Sequence, residues 1–395
     1  MLLYFYIFFE YGQPGGFIMK MNTKLLHAYP VICKETGASS IPKFQASTFH
    51  QPDAFNHEGY NYTRFGNPTI TAVEECIKTL EDSKYGLAFS SGMAAINAVL
   101  FLLSQGDHFI LAKNIYGGTF QTIQEFLVRF GIEYTMVDES DVSAWEAAIQ
   151  PNTKMIYLES PSNPLLTITD LKAVSKLAKQ HDILVACDNT FMTPLGQETL
   201  PIGIDIVIHS GTKFINGHSD VIAGLVATND ETLHKQLKIH QKALGGVLAV
   251  EEGWLLLRGV KTMGVRMERS IENAQQLAEF LQTKKQVKHV YYPGLPTHPG
   301  YAIHQQQAKN GGAVLSFELE TQDQVEALFK NCKVPIVAVS LGGVESILSL
   351  PWLMSHAAMP EEERLKMGVT PTLVRLSCGI EDIEDLIADL DQAIQ

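Results

Sequence analysis

Between His108 and Thr228 the sequence switches repeatedly from short, continuous apolar runs to longer stretches with helical spacing, and few folds accept that alternation. The runs His108–Ala112, Glu133–Val137, Lys154–Glu159, Ile183–Cys187, Asp205–His209 and Val221–Thr228 read as strands. Thr119–Phe130, Val142–Ile149 and Leu171–His181 read as helices between them. Strands that alternate with helices pack as a mostly parallel sheet covered on both faces, which predicts an α/β fold.

The flanks differ. Residues 46–69 are polar and glycine-containing, with Phe49, Phe55, Tyr60, Tyr62 and Phe65 close together and little periodicity. They predict an extended arm, spanning 21–68, that packs on something else. Helical spacing of Ile70, Val73, Ile77 and Leu80 then opens a large domain over 69–264, with a second helix at Met93–Leu103. The helical stretch Glu251–Gln282, with a hinge expected near Val260–Met267, leads into a smaller α+β domain over 265–395. There Val287–Tyr292, Ala313–Glu318 and Val334–Val339 read as strands, and Gln322–Phe329 and Ile383–Ile394 as helices. Residues 1–20 are apolar but lack a basic start and are interrupted by Glu10, Gly12 and Pro14, which fits a disordered or non-native extension ahead of Met19 or Met21.

A formal charge of −13 over 395 residues argues against a nucleic-acid or anionic-membrane surface, both of which need a basic face. The five cysteines are odd in number and scattered, which points to a reducing, cytoplasmic setting and to no structural metal.

In open α/β sheets ligands lie beyond the carboxyl ends of the strands, so the polar residues after each strand belong together. Glu159 and Asn163 follow one strand, Asp188 and Asn189 the next, and Ser210, Thr212 and Lys213 a third. Lys213, set among small polar residues and a glycine-rich return, is a candidate for Schiff-base chemistry, which needs an amine in a fixed pocket. An exposed loop lysine is the plainer alternative. Ser91-Gly92-Met93 opens a helix, where free N–H groups favour a phosphate, although such a start is commonly only a cap. Asp188 ends an apolar run and needs a cationic partner, unless it merely caps a loop. Tyr116 is placed to stack on a planar ring or to pack in the core. Arg375 sits inside the apolar run Leu-Val-Arg-Leu-Ser and suits either a substrate carboxylate or a salt bridge to an acid such as Glu345.

Several motifs in order resemble one family. Tyr62-Thr-Arg64-Phe-Gly-Asn-Pro-Thr, Ser90-Ser-Gly-Met, Ile115-Tyr116-Gly-Gly-Thr-Phe, Glu159-Ser-Pro-Ser-Asn163-Pro, Asp188-Asn-Thr and His209-Ser-Gly-Thr-Lys213 are followed by Arg258-Gly-Val-Lys-Thr, Val339-Ser340-Leu-Gly-Gly-Val-Glu-Ser and Leu373-Val-Arg375-Leu-Ser. The set resembles the Cys/Met-metabolism, or transsulfuration, family of pyridoxal-phosphate enzymes and covers essentially everything after Met21.

The resemblance implies an aminotransferase-like fold, fold type I, with a mostly parallel seven-stranded-type sheet. Pyridoxal 5′-phosphate would attach to Lys213, with Asp188 on its ring nitrogen, Tyr116 stacked on the ring, and Glu159 nearby. Gly92, Met93, Ser210 and Thr212 would bind the phosphate, joined by Tyr62 and Arg64 from a neighbouring subunit. The assembly implied is a dimer with shared sites, paired into a tetramer. Asn163, Ser340 and Arg375 would hold the carboxylate of a small amino-acid substrate. The activity implied is C–S cleavage of cystathionine, homocysteine or methionine. γ-Replacement by a cystathionine γ-synthase or O-acetylhomoserine sulfhydrylase is the alternative, with an aminotransferase or an inactive binding homologue more remote. Two positions depart from the family's patterns: Gly118 stands where methionine γ-lyases carry a cysteine, and Val339 where cystathionine γ-lyases and γ-synthases commonly carry a glutamate.

Overall fold

A computed structural model describes residues 19–394 except Ala28 and Ala358. Most of the expected extension, residues 1–18, therefore lies outside the described residues. The chain forms two sheets, each with its own apolar core. No helix among the described residues is long and apolar enough to cross a membrane.

The larger sheet contains β1 (Tyr85–Phe89), β2 (His108–Ala112), β3 (Glu133–Val137), β4 (Thr153–Glu159), β5 (Leu184–Asp188), β6 (Ile206–Ser210) and β7 (Gly224–Thr228), in the order β1-β7-β6-β5-β4-β2-β3. Only β7 runs antiparallel to its neighbours. The alternating pattern thus gives the mostly parallel, seven-stranded architecture that was expected. The final strand starts at Gly224 rather than Val221.

β1 has no counterpart among the strands read from sequence, because Gly86 weakens its strand signature. That glycine is needed for packing. A Cβ there would lie 2.3 Å from the Glu74 carbonyl oxygen of the helix Pro68–Leu80, so only a bare backbone lets helix and strand approach so closely.

Ahead of β3 stand four α-helices among the described residues: α1 (Met21–His27), α2 (Pro68–Leu80), α3 (Gly92–Leu100) and α4 (Gly117–Thr122). The segment expected as one helix over Thr119–Phe130 is instead α4, then a π-type turn at Ile123–Leu127 and a 3-10 turn at Val128–Phe130. This winding buries Ile123 and Leu127 and leaves Phe126, Val128 and Phe130 exposed.

In the region where a hinge was expected, a two-residue break, Lys261–Thr262, separates helices Val250–Val260 and Met263–Gln282. The second of these joins the two cores: Met263 and Met267 lie in the larger, and Ala274, Leu277, Ala278 and Leu281 in the smaller. The smaller sheet has β8 (Val287–Tyr291), β9 (Val314–Leu319), β10 (Ile336–Val337), β11 (Ile347–Ser349) and β12 (Leu373–Ser377), in the order β10-β11-β12-β9-β8. The strand expected over Val334–Val339 shrinks to two edge residues. Pro335 offers no N–H to a ladder and stands just before them.

Candidate active site

Three adjacent parallel strands end together. Glu159 of β4 is the register partner of Asp188 of β5, and Asp188 is the partner of Ile208 of β6, two residues before Ser210. The sheet therefore delivers two carboxyls and a hydroxyl to one edge.

Asp188 Oδ1 accepts hydrogen bonds from the backbone N of Thr190 at 3.0 Å and from its hydroxyl at 2.5 Å. The same hydroxyl accepts from the Ser210 backbone N at 2.8 Å, tying β5 to β6. Burial raises the pKa of Asp188 above the usual carboxylate value, and the Thr190 donors and the charges of His209 and Lys213 only partly oppose this. Glu159 accepts a 2.9 Å bond from the Tyr116 backbone N. Burial first, and the neighbouring Asp188 second, push Glu159 well above the carboxylate range.

Lys213 follows β6 in a turn closed by its own N–H on the Ser210 carbonyl, at 3.1 Å. Its Nζ donates to Ser340 Oγ at 2.5 Å. Burial, reinforced by the Arg375 charge, lowers the pKa of this amine to about 8, so far more of it is neutral near physiological pH than of a free lysine. Ser340 has φ +86°, a conformation that costs a non-glycine residue about 1–3 kcal/mol. Two residues on, Gly342 lies against the lysine's own backbone: a Cβ there would come within 2.6 Å of Phe214 N and 2.9 Å of Lys213 C.

Arg375 occupies the middle of β12, itself flanked by β11 and β9, and is 3% exposed. One Nη donates to Asn163 Oδ1 at 2.9 Å and the other to the Ser340 carbonyl at 2.7 Å, while Nε has no partner among the described residues. Arg375 forms no ion pair with Glu345 or any other carboxylate among the described residues. The salt-bridge alternative is not what the chain builds, and a buried guanidinium is left with hydrogen-bonding capacity to spare.

At the start of α3 the Ser91 side chain accepts from Ala94 N at 3.0 Å. Gly92 lies close to Ser210, whose hydroxyl oxygen would be 3.0 Å from a Cβ at that position. The Thr212 hydroxyl accepts from Ala223 N at 3.0 Å. Tyr116 precedes α4 with its ring 40% exposed. A Cβ on Gly118 would come within 2.6 Å of that ring and 2.9 Å of the Met93 sulfur, so Gly118 brings Tyr116 and Met93 to one place.

Tyr62 and Arg64 do not join this group within the chain. The Arg64 guanidinium donates to the Lys242 carbonyl at 3.0 Å and lies 4.8 Å from the Phe65 ring centroid and 5.5 Å from that of Tyr62. Sequence reasoning assigned no part to Thr190 or Gly342, although both stand inside motifs it singled out. The spacing Asp188-Asn-Thr190 is the available signal, since a hydroxyl two residues after an aspartate readily bonds back to it.

A profile of the Cys/Met metabolism PLP-dependent enzymes matches residues 22–395. The chain belongs to this family. Its members, and hence this chain, use pyridoxal phosphate as cofactor. Among curated relatives, the chain is 53% identical to a cystathionine beta-lyase of Bacillus subtilis, with 95% of this chain and 96% of that protein covered. It is 46% identical to a cystathionine gamma-lyase of the same organism, with 95% and 100% covered. Among solved structures it is similar to a cystathionine gamma-lyase from Lactobacillus plantarum, complexed with L-serine, at a TM-score of 0.93 and 45% identity over 95% of this chain and 98% of that one. The family assignment accounts for the aminotransferase-like layout that the motifs implied.

Proposed function

We propose that this chain is a pyridoxal-phosphate-dependent C–S lyase that cleaves thioether amino acids of the cystathionine type. The observation that carries the reading is the junction of Lys213, Ser340 and Arg375: a half-buried amine of lowered basicity joined by one serine to a buried guanidinium that no carboxylate among the described residues neutralises. The relatives named above support the substrate class.

The residues fit the cofactor. Asp188 is a half-buried carboxyl with no ion pair among the described residues, and a protonated ring nitrogen would supply the cation. Lys213 is the amine that would hold the aldehyde. Gly92 and Met93 open α3 with Gly92 beside Ser210, and with Thr212 two residues further along the chain this suits a phosphate. The half-exposed Tyr116 ring offers a stacking face. When bound, pyridoxal phosphate draws electrons away from the substrate's α-carbon.

Lys213 Nζ, once free, takes the α-proton and returns protons along the substrate. Arg375, with Asn163 and Ser340, grips the α-carboxylate and fixes which bond faces Lys213. Tyr116 supplies a proton to the leaving sulfur. Glu159 pins the backbone of Tyr116 and, sharing burial with Asp188, leaves the charged role to the latter. The carbon–sulfur bond breaks, a thiol leaves with a proton, and water completes release of a 2-oxo acid and ammonia without net oxidation.

Tyr62 and Arg64 serve the phosphate of a second copy, because their own chain leaves them at its surface beside Lys242. The working unit is then a homo-oligomer in which the arm, 21–68, crosses between copies, and the domains divide at about residue 264. The deciding assay incubates the loaded enzyme with cystathionine, methionine, homocysteine, or O-acetylhomoserine plus a thiol. Equal yields of thiol and 2-oxo acid from cystathionine are expected, with pyruvate marking β- and 2-oxobutanoate γ-cleavage. A thioether product from O-acetylhomoserine, with no cystathionine cleavage, would reassign the chain to γ-replacement.

A further inference from the structure

Arg266 is a buried cation that the proposed chemistry does not use. It stands in the first turn of the helix Met263–Gln282, is 5% exposed, and forms no ion pair with a carboxylate among the described residues. A guanidinium sealed from water is costly unless its donors are met, and here neutral oxygens meet them. Nη1 donates to the Phe214 carbonyl at 2.9 Å. Nη2 donates to the Gly259 carbonyl at 2.9 Å and to that of Ile215 at 3.3 Å, and Nε donates to the Thr262 hydroxyl at 3.1 Å. Phe214 and Ile215 are the two residues that follow Lys213.

The turn around Lys213 is shaped to receive this fork. Gly217 N donates to the Lys213 carbonyl at 2.8 Å and Asn216 N to that of Gly211 at 3.0 Å, so the turn's own bonds close on carbonyls other than those of Phe214 and Ile215. Gly217 has φ +75°, and a Cβ there would lie 1.8 Å from Nη1, so a bare backbone is what admits the guanidinium. A Cβ on Gly259 would lie 2.3 Å from the Asn216 carbonyl oxygen, which brings the end of the preceding helix equally close. Gly342 lies against Phe214 N, so the residue after Lys213 is held at its nitrogen by one domain and at its carbonyl by Arg266. The geometry points to Arg266 as a positioning residue that fixes the Lys213 turn and so ties the placement of the amine to the helix shared by the two cores. A planar fork spans carbonyls of two separate segments, which the single ammonium of a lysine does not. The inference rests on the reading of Lys213 as the lysine that holds the cofactor.

The test uses the full chain loaded with pyridoxal phosphate and reads two things: the visible circular dichroism of the bound cofactor, which is strong only while its lysine linkage is held in one setting, and the split between kcat and KM. Arg266→Lys, which keeps the charge but not the fork, should lose most of the visible signal and lower kcat about 10²-fold with KM hardly moved, the cost of an ångström-scale misplacement. Arg266→Met should do the same, and Arg266→Lys carries the test alone if Arg266→Met does not fold by far-ultraviolet circular dichroism. Folded, loaded variants with the wild-type visible signal and kcat overturn the inference, and so does full activity in Arg266→Lys, since charge alone would then suffice. Borohydride treatment of the loaded wild type, followed by peptide mass spectrometry, separates the two levels. Cofactor fixed on Lys213 together with unaffected Arg266 variants means that only the positioning role is wrong; cofactor fixed on another lysine removes the Lys213 reading, and the role of Arg266 with it.

Discussion

The floor of the site and the N-terminal arm both carry polar side chains, yet they hold them differently. In the floor, Asp188, Ser210, Lys213, Ser340 and Arg375 are linked by hydrogen bonds that run between strands and between the two domains. In the arm, Arg64 has one carbonyl and two ring faces on its own chain, and Tyr62 and Phe65 remain well exposed. The floor is therefore tied together within a single chain, while the arm presents a cation and aromatic rings that its own chain leaves unburied. The difference separates residues whose geometry is built in by folding from residues whose proposed role depends on assembly.

The largest test falls on the floor. Lys213→Ala should lower turnover by at least about 10³-fold, because in the proposed function one amine both holds the cofactor and moves protons. The melting temperature should hardly change, and retention of substantial turnover by the purified variant would remove Lys213 from its role. Arg375→Leu comes next, with kcat/KM expected to fall about 10²-fold, mostly through KM, as a buried charge that meets a carboxylate is lost. An unchanged KM would place the substrate carboxylate elsewhere.

The arm gives a subtler effect. Arg64→Ala should weaken cofactor retention about tenfold, read by equilibrium dialysis, while leaving the fold intact. Mixing Arg64→Ala chains with Lys213→Ala chains should restore activity above that of either alone, because hybrid assemblies would pair an intact arm with an intact lysine. Failure to complement would mean that the arm serves its own chain. The smallest effect is a titration. Lys213 of the cofactor-free chain should react with an amine-selective reagent with a midpoint near pH 8, and Arg375→Leu should raise that midpoint, since removal of a like charge favours the protonated amine. A midpoint that stays put would separate the two residues electrically.

What the sequence disclosed follows the same division. Continuous apolar runs forced buried parallel strands, and polar residues directly after Glu159, Asp188 and Ser210 had to gather at one edge. Local patterning could not reveal β1, whose Gly86 looks like a breaker until Glu74 is seen against it. Nor could it reveal the rewinding after Thr122, which answers to burial of Ile123 and Leu127 rather than to helix propensity. The long-range bridges, Thr190 to Ser210 and Ser340 to Lys213, depend on tertiary approach and leave only a faint mark in spacing.

Gly342 gives the joint between the two domains a mechanical character. The smaller domain rests on the lysine's own peptide with no room for even a methyl group, so that contact can serve as a pivot. Beside it, Arg375 holds the carbonyl of Ser340 while the hydroxyl of the same serine holds Nζ. One residue thus links the guanidinium to the amine, and on the proposed reading Ser340 is a short lever by which a carboxylate bound at one end would be felt at the other.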